Sequence, residues 1–106
     1  MRARRTDANQ AAIFTEARKV GLRVYDTSGV GRGFPDAVVQ YGGATELWEI
    51  KNPQRPPSAR KYTKAQSKVR FEGMSARLVM TVDDVLAAKN TMLADLDAIK
   101  KARLLT

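Results

Sequence analysis

The 106-residue chain contains no cysteine and no histidine. The first absence excludes a disulfide framework and thiolate metal sites. The second excludes His-dependent triads, zinc centres of the usual ligand set and imidazole acid–base chemistry. No apolar run approaches the roughly 18 residues of a membrane-spanning helix. The opening residues, MRARRTDANQ, are basic and lack the apolar segment of a secretory signal, which points to a cytoplasmic protein. Acids are missing from one long stretch: none occurs between Asn52 and Arg70. Any catalysis must therefore rest on carboxylates, lysine, hydroxyls or a bound metal.

What the chain does have is positive charge. The net charge is +8 and the pI about 10.2. Clustered Lys and Arg favour a polyphosphate partner through counterion release. The acid-free stretch carries Arg55, Arg60, Lys61, Lys64, Lys68 and Arg70, and Arg2, Arg4 and Arg5 form a second cluster. Four acids lie far away, at Asp83, Asp84, Asp95 and Asp97. With 43% hydrophobic residues, residues 1–106 suffice for a single small domain with one modest core.

Periodicity supplies the elements. Ile13, Phe14, Ala17 and Val20 recur at helical spacing within residues 7–20, with Thr6 or Asp7 as cap and Gly21 closing the helix. Residues 22–25 read as a short strand, followed by the glycine-rich TSGVGRGF. Residues 35–41 and 44–51 read as strands joined by Gly42-Gly43, a tight hairpin turn. Three prolines argue for a loop over 52–62. Thr63 caps an expected helix over 64–72, ended by Gly73. Residues 77–81 read as a strand. A long helix is expected from Asp83 to about Leu104, with Val85, Leu86, Met92, Leu93, Leu96 and Ile99 as its apolar stripe. The order α-β-β-β-α-β-α implies an α/β domain, a mixed sheet with flanking helices.

The hairpin has an arithmetic consequence. If Gly42 and Gly43 form the turn, Tyr41 pairs with Ala44, Val38 with Leu47 and Asp36 with Glu49. Paired residues share a face, and alternation adds Lys51 to it while Trp48 and Ile50 point to the other, with Ala37 and Val39. Asp36 and Glu49 fall on a non-hydrogen-bonded pair, with Cα atoms about 4.5 Å apart. Two carboxylates so placed repel. A shared proton, a hard divalent cation such as Mg²⁺ or Mn²⁺, or an ion pair to Lys51 would each compensate. The basic surroundings favour metal together with phosphate.

Pro35-Asp36, a hairpin, then Glu49-Ile50-Lys51 resembles the signature of the PD-(D/E)xK nuclease superfamily. GVGRGFPD resembles its glycine-rich approach to the motif acid. RRTDANQ and PPSARKYTKAQ resemble the flanks of small virus-type replication-repair nucleases (VRR-NUC) and Holliday-junction-resolvase-like members. The resemblance covers roughly residues 4–86 and leaves out the last helix, from about 89 to 104. It implies a restriction-endonuclease-like core and a Mg²⁺- or Mn²⁺-dependent endonuclease acting on DNA, including branched DNA, in repair or recombination. Asp36 and Glu49, joined by the Ile50 carbonyl, would hold the metal. Lys51 would orient water or stabilise the pentacovalent phosphate, and Gln66 would face the site from a helix. Many relatives carry a glutamate on the first helix, where this chain offers Asp7 and Gln10 as accessory groups.

The remaining expectations concern binding. Arg4, Arg5, Arg55, Arg60, Lys61, Lys64 and Lys68 suit the DNA backbone, and Ser28 and Arg32 in the glycine loop suit a phosphate. The length of the last helix favours a homodimer. Two alternatives keep the same fold: a DNA-binding module without catalysis, and a nuclease subunit that cuts only with a partner.

Overall fold

The computed structural model describes residues 8–54 and 75–104. Its elements are α1 (Ala8–Lys19), β1 (Arg23–Asp26), β2 (Ala37–Tyr41), β3 (Ala44–Ile50), β4 (Arg77–Val79) and α2 (Val82–Leu104). The strands form one sheet in the order β1-β2-β3-β4. β1 and β3 run antiparallel to β2, and β4 runs parallel to β3. The result is a small α/β domain with a four-strand mixed sheet. The helix expected over 64–72 lies outside the described residues, as does most of the proline-rich loop. Among the described residues no helix is long and apolar enough to cross a membrane.

α1 forms because Gln10, Ile13, Phe14 and Ala17 fall on one face and are buried there. It ends in a Schellman motif: the Leu22 N–H donates to the Ala17 carbonyl and the Gly21 N–H to that of Arg18. Gly21 takes the required left-handed backbone, with φ of 92°. α2 begins at Val82, one residue before the expected Asp83, because Thr81 caps it. The Asp84 N–H donates to Thr81 Oγ1, and the Thr81 N–H donates back to Asp84 Oδ2, a reciprocal capping box. Asp84 Oδ2 also accepts from the Met80 N–H. That removes Met80 and Thr81 from the sheet, so β4 stops at Val79 and not at Thr81.

Both helices pack on the face of the sheet that carries Val24, Ala37, Val39, Ala44, Trp48, Ile50 and Val79, and these residues form one core with Ile13, Phe14, Ala17, Leu22, Val85, Ala88 and Met92. The stripe expected for α2 needs correction. Val85, Ala88 and Met92 are buried, and Leu96 is half-buried against the core. Leu86 and Leu93 are 43% and 40% exposed. At about 100° per residue they sit roughly a quarter turn from the buried line, on which the small Ala88 is fully buried.

The hairpin register is the one the two-glycine turn implies: Tyr41 pairs with Ala44, Val38 with Leu47 and Ala37 with Trp48. Gly42 has a φ of 59°. A Cβ there would lie 3.0 Å from both terminal methyls of Leu96, so the turn is also where α2 clamps the hairpin. β2 starts at Ala37, two residues later than expected, since Pro35 has no N–H for a ladder. β1 is shifted one residue along, to 23–26, and β3 ends at Ile50.

Candidate functional site

Among the described residues, three polar or charged side chains are buried: Gln10 (6% exposed), Asp36 (6%) and Glu49 (3%). Two of them are the acids of the hairpin. The register places Asp36 opposite Glu49 one step beyond the last ladder pair. Asp36 lies just outside β2, and its side chain reaches along the strand: Asp36 Oδ2 accepts the Ile50 N–H at 2.9 Å. Its own carbonyl accepts the Thr27 N–H at 2.8 Å, which anchors it to the end of β1. Trp48, Glu49 and Ile50 are buried in succession. Because side chains alternate between faces, the sheet is covered on both faces at this end.

Lys51 Nζ lies 3.8 Å from Glu49 Oε1, with both side chains largely buried. That separation is an ion pair but too long for a hydrogen bond. The Lys51 backbone is fixed on both sides: its N–H donates to the Val79 carbonyl, and its carbonyl accepts from Asn9 Nδ2 at 2.8 Å. Asn9 Nδ2 also reaches the Met80 carbonyl at 3.2 Å. α1 is thereby tied to the ends of β3 and β4, beside the acids. Asn9 carried no signal in the sequence beyond being polar at a helix start; its partners are 42 and 71 residues away.

Gln10, one residue along α1, has a buried Nε2 without a hydrogen-bond partner. An amide can be turned over to present its oxygen in place of its nitrogen. The buried acids and the strand-end carbonyl at this end of the hairpin are oxygen donors, whereas Gln10 is buried on the α1 face that carries Ile13, Phe14 and Ala17. Oxygen donors of this kind suit Mg²⁺ or Mn²⁺. Among the described residues no three His, Cys, Asp or Glu side chains come together as a metal-holding group; the buried acids there are Asp36 and Glu49.

The loop before Asp36 is two consecutive turns. The Val30 N–H donates to the Thr27 carbonyl and the Phe34 N–H to the Gly31 carbonyl. In the second turn Arg32 and Gly33 both have positive φ, 56° and 79°, the pattern of a type I′ turn. Arg32 holds a conformation that non-glycine residues rarely adopt, and its side chain is exposed. Ser28 is differently placed: both its N–H and its Oγ donate to Asp26 Oδ1, at 2.9 and 2.6 Å. Both of those donors are committed to the last residue of β1.

Trp48 is fully buried in the core, as its face implied. Its Nε1 donates to Glu46 Oε1 at 3.0 Å, and Arg77 grips Glu46 with two bonds, Nε to Oε1 at 2.8 Å and Nη2 to Oε2 at 2.9 Å. The hydrogen bond to Glu46 holds the Arg77 guanidinium above its ordinary pKa, against the effect of burial. Sequence reasoning missed this β3–β4 clasp, because nothing local marks residues 31 apart as partners.

The structure thus gathers Asp36, Glu49, Ile50 and Lys51 at one end of the hairpin, with Asn9 of α1 bonded to the Lys51 carbonyl; Gln10 is buried on the core side of α1, and Arg32 lies on the loop that leads into Asp36. Arg4, Arg5, Asp7, Arg55, Arg60, Lys61, Lys64, Gln66 and Lys68 lie outside the described residues. The chain matches no known protein family, no curated protein and no solved structure.

Proposed function

We propose that the protein is a metal-dependent DNA endonuclease with a restriction-endonuclease-like core. The observation that carries the reading is the burial of Asp36 and Glu49 at the same end of one hairpin, with Lys51 paired to Glu49. Like charges at adjacent register positions are unfavourable, and a divalent cation turns that arrangement into an attractive one. Asp36, Glu49 and the Ile50 carbonyl would hold Mg²⁺ or Mn²⁺, which supplies Lewis acidity toward a phosphoryl oxygen and an acidified water. Lys51 would supply an ammonium to offset charge growing on the phosphate. Asn9 and the Val79 carbonyl fix the Lys51 backbone, so that the ammonium is presented from a rigid point. The +8 net charge favours DNA as the polyanion, and Arg32 is the exposed cation on the loop that leads into Asp36. In the same reading α2, with Leu86, Leu93 and Leu104 exposed, is the contact of a homodimer.

The test is cleavage of four-way junction, flap and linear duplex DNA in Mg²⁺ or Mn²⁺, beside Glu49→Ala. Metal-dependent cleavage of at least one substrate, lost in the variant, is the expected result. Cleavage that persists in Glu49→Ala, or no cleavage of any substrate, removes the reading. A second reading draws on the Glu49–Lys51 ion pair, which neutralises one acid without a metal: a DNA-binding module that does not cut. It gives salt-dependent binding without turnover, indifferent to Asp36→Ala.

A further inference from the structure

The β2–β3 ladder stops at one particular place. Tyr41 and Ala44 flank a two-residue turn and so form a hydrogen-bonded pair, and alternation makes Val39–Glu46 and Ala37–Trp48 the next two of that kind. The pair after those is Pro35 with Ile50. In an unbroken ladder residue 35 would give its N–H to the Ile50 carbonyl and take the Ile50 N–H on its own carbonyl. Neither bond forms here. Pro35 has no N–H, and its carbonyl is turned to β1, where it accepts Thr27 Oγ1 at 2.7 Å. The Ile50 N–H goes to the Asp36 carboxylate in its place. Ile50's carbonyl leaves the strand on the same side as its N–H, toward Asp36, and the ladder offers it no donor.

We propose that Pro35 and Thr27 together act as a ladder stop that keeps the Ile50 carbonyl open as a cation ligand and aims the Asp36 carboxylate beside it. Both are positioning residues, and the inference rests on the metal reading given above. Proline does one half by lacking a donor. Thr27 does the other by occupying the acceptor that would otherwise capture the Ile50 N–H and release Asp36.

The experiment is Mn²⁺ titration by calorimetry of the full chain, Pro35→Ala, Thr27→Val and Thr27→Ser, with amide hydrogen exchange on Pro35→Ala. In Pro35→Ala the new N–H extends the ladder onto the Ile50 carbonyl. That amide should exchange slowly, and Mn²⁺ affinity should fall about tenfold or more, the range seen when groups orienting metal ligands are removed. Thr27→Val should weaken Mn²⁺ binding as well, while Thr27→Ser, which keeps the hydroxyl, should restore it. Should Pro35→Ala not fold, the Thr27 pair decides alone. Unaltered Mn²⁺ affinity in Pro35→Ala or Thr27→Val, or a freely exchanging residue-35 amide, overturns the ladder stop and leaves the nuclease reading intact. Absence of Mn²⁺ binding by the unaltered chain removes both.

Discussion

Asp36 has a structural duty that can be separated from any metal. Its carboxylate is the acceptor for a buried backbone N–H, that of Ile50. A hydrogen bond to a charged acceptor contributes about 1.5–3 kcal/mol, and an orphaned buried donor carries a desolvation penalty of about 1–3 kcal/mol. Asp36→Ala removes the acceptor and orphans the donor, so the metal-free protein should lose about 2–3 kcal/mol. Asp36→Asn keeps an oxygen in the same place. It exchanges a charged acceptor for a neutral one and relieves repulsion with Glu49, for a net loss of about 1 kcal/mol or less. In a domain of this size each kcal/mol moves Tm by roughly 4–8 °C. Asp36→Ala should therefore melt about 8–24 °C lower and Asp36→Asn within about 8 °C of the unaltered chain, both in EDTA. Trp48 is the sole tryptophan and is fully buried, so its fluorescence reports unfolding directly. Both variants should lose Mn²⁺ affinity tenfold or more, since each removes a carboxylate from the donor set. Equal stability of Asp36→Ala and the unaltered chain, or an Asp36→Asn as damaged as Asp36→Ala, refutes the hydrogen-bond argument.

Two other perturbations follow from the fold. A double-mutant cycle on Glu46→Gln and Arg77→Met should show coupling of about 1–3 kcal/mol, between the values for exposed and for buried pairs; coupling below about 0.5 kcal/mol in urea unfolding would deny the β3–β4 clasp a role in stability. Gly42→Ala should lose about 1–2 kcal/mol from its left-handed backbone alone. The contact with Leu96, 3.0 Å from the added methyl, adds to that, so Gly42→Ala should be less damaging when Leu96 is shortened to Ala. A Gly42→Ala protein with unchanged thermal stability contradicts both terms.

Much of this geometry was legible in the sequence where it is local. Adjacent glycines and strict alternation fix the hairpin, and with it the Val38–Leu47 pairing and the opposite faces of Trp48 and Glu49. The C-terminal stop of α1 at Gly21 follows from the backbone freedom of that one residue. The misreadings arise where side chains compete with the backbone. Asp84 draws the Met80 and Thr81 N–H groups out of β4, and Pro35 shortens β2. On α2, apolar residues were counted by type, and large leucines were preferred to Ala88. The buried line runs through the small Ala88 instead. Asn9, and the Glu46–Arg77 pair, were illegible because their partners are distant in the chain and no local pattern marks them.

Met80 brings three elements to one point. Its N–H is held by Asp84 at the start of α2, and its carbonyl by Asn9 of α1. The same Asn9 holds Lys51 at the end of β3. The hairpin thus has a welded end, at the acids, and a latched end, about 20 Å away by strand rise, where Leu96 rests on Gly42. Breathing of the sheet should begin at the latch and die out before the weld. Substitutions around the turn can then tune how tightly the domain holds together without displacing the carboxylates, and the geometry of the one end is insulated from drift at the other.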